Sequence, residues 1–215
     1  TQAAALGRRD TGRTHFGQPR LSPNAMRFRS PFALLVALTA LGCQGGPKRL
    51  DPVPQEHEAG VTKARGAIGE LKKTLSGRLQ EAIKGGGPAS GIEVCASEAG
   101  ELTSDLAKKN GIEIGRSSRG LRNEKNAPRP WVKAYLDEAA GKPAKDVKPA
   151  VYDLGAKLGV VEPLPTQALC VTCHGPAQGI PADVKQKLGE RYPKDQATGF
   201  AEGDLRGVAW VELAK

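Results

Sequence analysis

The pattern Cys170-x-x-Cys173-His174 places two thiols three positions apart, with an imidazole directly after the second. At this spacing two cysteines can add to the vinyl groups of one haem while the histidine reaches its iron. Disulfides, a redox dithiol and half of a zinc site are the alternatives. A dithiol does not explain the adjacent histidine, and a second pair of zinc ligands at the usual spacing is absent from the sequence. The motif therefore predicts one covalently bound haem c, with His174 as an iron ligand.

The N-terminal sequence agrees with export, which this kind of haem attachment requires. Met26 begins a stretch in which Arg27 and Arg29 precede an uncharged run from Pro31 to Gly42. A basic start followed by an apolar run of this length is typical of a secretory signal peptide, and the run is too short for a permanent membrane-spanning helix. We therefore expect a signal peptide over residues 26–42, and we expect residues 1–25 to be a non-native upstream segment.

The apolar run ends in Ala40-Leu41-Gly42-Cys43, which resembles a bacterial lipobox although the order of its residues is imperfect. A lipobox cysteine is lipidated and becomes the first mature residue. Ordinary cleavage nearby, with Cys43 left as a free thiol, is the alternative. Gln44 in place of Asp resembles a lipoprotein destined for the outer membrane. We expect lipidation at Cys43, a lipid-anchored, periplasm-facing protein of the bacterial cell envelope, and a flexible tether over residues 43–60.

The basic composition gives little support for a nucleic-acid partner. The formal net charge is +9, but residues 1–42 contribute five of these charges, so that residues 43–215 carry +4. No basic stripe with interspersed aromatic residues accompanies this charge, and we expect no binding of nucleic acid. About 170 mature residues suffice for one domain with a core that can enclose a prosthetic group. We assign residues 61–215 to that haem-binding domain.

A second axial ligand for the iron must be sought elsewhere in the chain. Met26 and His15 precede the expected mature start, and His57 lies in the predicted tether. Cys95 lies instead in a stretch whose apolar residues recur at helical spacing up to Gly111, which puts it on the buried face of a helix. Burial as a small apolar residue, which is the usual role of a free cysteine, remains open at this point.

Four ordered segments extend over roughly residues 60–215: "GIEVCASEAGEL", "GRSSRGLRNEKNAPRPW", "ALCVTCHGPA" and "YPKDQATGFAEGDLRGVAWVEL". Together they resemble a family of c-type haem domains of unknown function, found in cyanobacterial and proteobacterial haem proteins, whose fold is similar to PAS sensor domains. In that family a cysteine on the helix before the Arg/Asn segment ligates the iron opposite the motif histidine. The resemblance therefore implies His174 and Cys95 as axial ligands. Val132 departs from the acidic residue of many members.

The remaining patterns predict short helices and strands without a repeating βαβ order. Helices are predicted at 62–84, from Ile92 towards Gly111, at 131–140 and at 183–191, and strands at 112–118, 150–155, 158–164 and 207–213. Gly85 to Pro88 is predicted to be a linker. This order favours an α+β fold, in which helices flank a PAS-like antiparallel sheet.

Arginines near the second segment are candidates for binding the haem propionates, because a guanidinium group binds a carboxylate through two parallel hydrogen bonds. We expect Arg116, Arg119 and Arg122 to serve in this way, with a solvated basic loop as the alternative. Residues 203–207 resemble a tight turn, in which Asp204 either accepts backbone hydrogen bonds or pairs with Arg206.

The implied ligand set bears directly on function. An iron with imidazole and thiolate on its two sides has no open site for a substrate, so we expect no enzyme and no peroxidase activity. The anionic thiolate favours ferric iron, which predicts low-potential electron transfer to a redox partner protein in the cell envelope. The alternative is a haem-based redox or gas sensor, in which carbon monoxide or nitric oxide replaces Cys95 and a partner protein receives the signal.

Overall fold

The computed structural model describes residues 46–215, so the predicted signal peptide, residues 1–25 and the lipidation site Cys43 lie outside the described residues. Five strands form one antiparallel sheet in the order β1-β3-β4-β5-β2. The strands are β1 (Lys48–Arg49), β2 (Glu113–Ser117), β3 (Ala150–Asp153), β4 (Lys157–Pro165) and β5 (Leu205–Ala214). The helices are α1 (Glu58–Ser97), α2 (Ala99–Asn110), α3 (Pro130–Glu138), α4 (Ala168–His174) and α5 (Ala182–Arg191). The predicted α+β class with an antiparallel sheet is confirmed.

The two long strands β4 and β5 form the centre of the sheet, and helices cover both of its faces. Ala209, Val211 and Leu213 on β5 pack against α1, whereas Val208 and Trp210 pack against α3. Strands that are buried on both sides consist of nearly continuous apolar residues, which explains the sequence of β5. None of the helices within residues 46–215 is both long and apolar enough to cross a membrane.

Helix α1 changes direction at the glycine run that was predicted to be a linker. Gly86 and Gly87 depart from helical geometry, and Gly87 has a φ of 78°, a conformation that favours glycine. Helical structure resumes after Pro88 and carries Ile92 onto α5, where it packs against Val184 and Leu188. The glycine run is therefore a kink between two helical segments, and the segment that carries Cys95 folds back against the first: Arg78 pairs with Glu98 at 2.9 Å, and a Cβ at Gly91 would lie 2.7 Å from Cδ1 of Leu79.

The predicted tether is wrong for the part of it that the structure describes. Lys48 and Arg49 form the edge strand β1, paired with Asp153 and Tyr152. Helix α1 begins at Glu58, before the predicted domain boundary at residue 61. The strand partner lies about a hundred residues further along the chain, so the local proline and glycine content gave no indication of the pairing.

Candidate functional site

One cavity, of about 180 Å³, is bordered by both Cys95 and His174. Cys95 comes from the end of α1, and His174 is the last residue of α4. The same cavity is bordered by Arg116 from β2 and by Arg206 from β5. The two residues that the family resemblance implies as axial ligands thus lie around a single cavity, although they are separated along the chain and belong to different helices.

Helix α4 holds the two cysteines of the motif. Cys170 and Cys173 are three residues apart, a spacing at which side chains share one side of a helix. Both are free thiols, and Cys173 packs against a cluster that contains Ile92 and Val184. The helix ends at Gly175, where a Cβ would lie 2.5 Å from the carbonyl oxygen of Val171. The sequence alone did not predict this short helix, and it points the motif towards the end of α1.

The proton of the His174 ring is assigned by the groups around it. Nδ1 lies 2.6 Å from the carbonyl oxygen of Ala197, and a carbonyl oxygen can only accept, so Nδ1 donates. Nε2 lies 3.4 Å from Nη1 of Arg122, which can only donate. Nε of Arg206 lies 3.2 Å from Nδ1, but it cannot bond to a nitrogen whose proton is used by Ala197, so we assign the shorter contact as the hydrogen bond. The lone pair is therefore on Nε2, the form in which imidazole binds a metal.

Electrostatics keeps this imidazole neutral. Burial, with the charges of Arg206 and Arg122, lowers the pKa of His174 from its ordinary value of 6.5 to about 3. A neutral ring is the ligating form, because a protonated ring has no lone pair to donate.

Cys95 is half-buried and faces three guanidinium groups. Burial raises the pKa of its thiol, whereas the charges of Arg116, Arg122 and Arg206 act in the opposite direction. Nearby positive charge stabilises a thiolate, which is the form that binds iron. The thiol also borders a second cavity, of about 170 Å³, whose wall includes the small residues Ala99 and Gly100.

The three predicted arginines occupy different settings. Arg116 pairs with Ala209 in the sheet, and its side chain borders the cavity without a hydrogen bond or ion pair to any residue of the described range 46–215. Arg122 pairs with Asp195 at 3.0 Å and donates to the carbonyl oxygen of Cys173 at 2.6 Å. Arg119 is exposed and borders a neighbouring surface pocket instead of the cavity of Cys95 and His174. The structure therefore brings two of the three predicted arginines to the site.

Arg206 is a site residue that sequence reasoning missed. It was considered only as a turn residue, but Asp204 accepts a hydrogen bond from the Ala201 amide, and Arg206 points into the site instead. There it donates to Ser118 Oγ at 3.0 Å and lies over the ring of Phe200, 5.1 Å from its centroid. Burial, followed by the charge of Arg122, lowers the pKa of Arg206 to about 10.

The residues around the cavity fit a haem. A neutral imidazole and a cysteine thiol are both iron ligands, and the two thiols of α4 precede the histidine at the spacing for covalent attachment. Within residues 46–215, one carboxylate pairs with the arginines of the cavity: Asp195 pairs with Arg122, while Arg116 and Arg206 have no carboxylate partner. The cavity therefore has an excess of positive charge that suits two ionised propionates. His57 does not border the cavity.

An antiparallel α+β domain with this donor set belongs to the general class of domains that can hold a prosthetic group. The sequence model of the Tll0287-like family matches residues 48–214, and the chain therefore belongs to that family. The crystal structure of the cyanobacterial haem-protein Tll0287 resembles this chain with 26% sequence identity and a TM-score of 0.56, over 75% of this chain and 97% of that one. A search of curated proteins finds no match. The predicted membership of a haem-protein family is confirmed.

Proposed function

We propose that this chain binds one haem covalently through Cys170 and Cys173, with His174 and Cys95 as its axial ligands, and carries electrons at low potential. The observation that carries the proposal is the meeting of Cys95 and His174 at one cavity, beside the two motif cysteines. Membership of the Tll0287-like family supports the choice of cofactor, because a solved relative is described as a haem protein.

A bound haem supplies a reversible one-electron change between ferric and ferrous iron. The residues of this chain determine which of the two states is favoured. His174 offers Nε2 while its Nδ1 proton is held by Ala197, and Cys95 offers a sulfur whose anionic form three arginines stabilise. An anionic sulfur donor favours the ferric state, so the potential is low for a c-type haem.

The arginines supply the charges that an acidic cofactor requires. Arg116 has no partner of its own within residues 46–215, which leaves all its donors available for a propionate. Nη1 of Arg206 donates to Ser118 Oγ and to the carbonyl oxygen of Gly120, whereas its Nε lies beside the protonated Nδ1 of His174 without a hydrogen bond to it. Nε and Nη2 of Arg122 are engaged with Asp195 and with backbone carbonyl groups, and its Nη1 lies 3.4 Å from Nε2 of His174, so Arg122 contributes its charge. We therefore propose Arg116 as the principal propionate ligand.

The cellular setting is part of the same proposal. Attachment of haem to Cys170 and Cys173 requires export, which the predicted signal peptide over residues 26–42 would direct. Lipidation at Cys43 would then hold the domain on the periplasmic side of the cell envelope, where a redox partner protein exchanges electrons with it.

A redox or gas sensor is the second candidate, and the cavity beside Cys95 favours it. This space, of about 170 Å³, adjoins the cavity of His174 at Cys95 and would leave room for the thiol to move off the iron. Carbon monoxide or nitric oxide would take the vacated position, and a partner protein would read the change. The similarity to PAS sensor domains that the family resemblance implies would support this candidate by analogy.

Covalent attachment is tested by acid–acetone extraction of protein produced with its own signal sequence. The native protein keeps its haem through the extraction, whereas the double variant Cys170→Ala, Cys173→Ala loses it, because both thioether bonds are then missing. Cys95→Ala is the matched control: it removes a cysteine that borders the cavity of His174 but lies outside the attachment motif, and its haem stays covalently attached. Extractable haem in the native protein would refute covalent binding.

Carbon monoxide titration of the reduced protein separates the two candidate functions. An electron carrier keeps Cys95 in place near neutral pH and binds the gas weakly and slowly. Fast, reversible binding at the same pH would favour the sensor.

A further inference from the structure

Asp195 lies between α5 and β5, outside the motif and outside the cavity wall, yet its two oxygens join two parts of the site. Its Oδ2 accepts a hydrogen bond from Nε of Arg122 at 3.0 Å. Its Oδ1 accepts one from the backbone amide of Ala197 at 2.8 Å. Both side chains of this ion pair are largely buried, with 9% of Arg122 and 11% of Asp195 exposed. A pair this buried is held in one geometry more firmly than a surface pair.

The segment that Asp195 fixes is the one that holds His174. The carbonyl oxygen of Ala197 accepts the Nδ1 proton of the ring at 2.6 Å, and Ala197 is fully buried. Nη2 of Arg122 donates to this same carbonyl at 3.3 Å and to that of Cys173 at 2.6 Å. Asp195, Arg122, Ala197 and the end of α4 thus form a closed ring of hydrogen bonds around the imidazole.

We infer that Asp195 is a positioning residue for His174 and that it sets the orientation and basicity of the imidazole through Ala197. The inference rests on the proposed function, in which His174 is an iron ligand. A partner that accepts the second ring proton fixes the plane of a ligating histidine and strengthens it as a donor. The acceptor of this second ring proton is usually a carboxylate or a backbone carbonyl. Here it is the carbonyl of Ala197, and Asp195 orients that carbonyl.

Two substitutions separate the contacts of Asp195. Asp195→Asn keeps an oxygen for the Ala197 amide and removes the charge that pairs with Arg122, whereas Asp195→Ala removes both contacts. Asp183→Asn is the matched control: it removes a charge close enough to Cys173 to affect the pKa of that thiol, and Asp183 makes no hydrogen bond to the ring. The measurements are the ferric optical and electron paramagnetic resonance spectra and the midpoint potential of the haem-loaded protein, and amide exchange at Ala197.

We expect a graded series. Asp195→Ala broadens the ferric resonance signal, converts part of it to high spin and raises the midpoint potential, because a loosened imidazole is a weaker donor to ferric iron. Asp195→Asn shows smaller changes of the same sign, and Asp183→Asn keeps the native spectrum. Exchange of the Ala197 amide accelerates by about tenfold or more in Asp195→Ala, as the loss of one charge-assisted hydrogen bond implies.

Native spectra and a native potential in Asp195→Ala would overturn the inference. If that variant does not fold, Asp195→Asn decides alone: a native spectrum and potential there would overturn the inference equally. Failure of the proposed function gives a different result, because the native protein would then release its haem on extraction. The Ala197 exchange rate tests the hydrogen-bonded ring without haem, and native protection in Asp195→Ala would refute it.

Discussion

Two groups of charged side chains lie on either side of strand β2, and their charge balance differs. The sheet cluster, defined by Arg129, Lys157, Glu113 and Glu212, has two cations and two carboxylates, with Glu212 bonded to Arg129 at 2.6 Å. The cavity cluster, defined by Arg116, Arg122, Arg206 and Asp195, has three cations and one carboxylate. Burying an ion is costly unless a partner offsets the cost. The sheet cluster is balanced within the described residues, whereas the cavity cluster has more cations than carboxylates within residues 46–215, as the proposed binding of haem propionates requires.

The two clusters also differ in how many contacts their charged side chains make with neighbouring residues. Glu212 is only 7% exposed and also accepts a hydrogen bond from Nε1 of Trp131 at 2.7 Å, and Arg129 lies 4.4 Å from the centroid of the Trp210 ring. Arg116 has no comparable contact within residues 46–215, and burial lowers its pKa. A satisfied buried network stabilises a fold, and an unsatisfied one indicates a binding site.

Removing one cation from the sheet cluster is expected to have the largest effect on stability. Arg129→Met leaves the buried carboxylate of Glu212 with only the Trp131 donor and a more distant lysine, at 3.4 Å. We expect a loss of about 2 kcal/mol in the free energy of unfolding, the usual cost when a buried acceptor loses its partner. Urea unfolding measures the loss, and the midpoint potential of the loaded protein stays unchanged. Unchanged stability would contradict the structural role of the sheet cluster.

Removing one cation from the cavity cluster is expected to have the opposite pattern of effects: the midpoint potential changes, and the protein is not destabilised. Arg116→Met removes a half-buried charge whose side chain has no partner within residues 46–215, so the free energy of unfolding of haem-free protein stays the same or rises. In the loaded protein the midpoint potential falls, because loss of a nearby positive charge favours the more positive ferric state. Potentiometric titration measures the midpoint potential, and urea unfolding measures the free energy of unfolding. Destabilisation as large as that of Arg129→Met would mean that Arg116 is structural.

A smaller effect is expected from pH, which changes the contribution of Glu113 in the sheet cluster to the free energy of unfolding. Hydrogen bonds from Lys157 and from Arg129 lower the pKa of Glu113 below its ordinary value of 4.5. The stability that this carboxylate contributes is therefore complete above pH 4.5 and is lost as the pH falls towards the folded-state pKa. Glu113→Gln reduces the slope of unfolding free energy against pH as the pH falls below 4.5. The exposed Glu56→Gln is the control, and an unchanged slope in Glu113→Gln would refute the contribution.

The sequence predicted those elements whose pattern is local. The helical spacing around Cys95 and the stop at Gly111 correspond to the end of α1 and to α2, and the apolar run at 207–213 lies within β5. Period and turn residues are properties of neighbouring positions, so they can be read without knowledge of the tertiary structure. The boundary at Glu98 between α1 and α2 was not predicted, because the apolar spacing continues across it.

Features that depend on distant pairings could not be predicted in this way. Strand β1 has only two residues, and its partner lies far along the chain. The sequence around Arg206 indicates only a turn, since nothing adjacent to it shows that β5 begins beside His174. No pattern in the sequence indicates a role for Asp195. Its role depends on contacts with both Arg122 and Ala197, and only the folded chain brings these groups together.

The most direct test of the central claim is the ferric spectrum of Cys95→Ala, recorded optically and by electron paramagnetic resonance. If Cys95 and His174 are the two axial ligands, the native protein gives a low-spin signal of the thiolate-ligated kind. Cys95→Ala shifts it towards high spin and raises the midpoint potential, because the anionic donor is lost, while His57→Ala leaves both unchanged. A Cys95→Ala protein with covalently bound haem and the native ferric spectrum would contradict the ligand assignment and the function built on it.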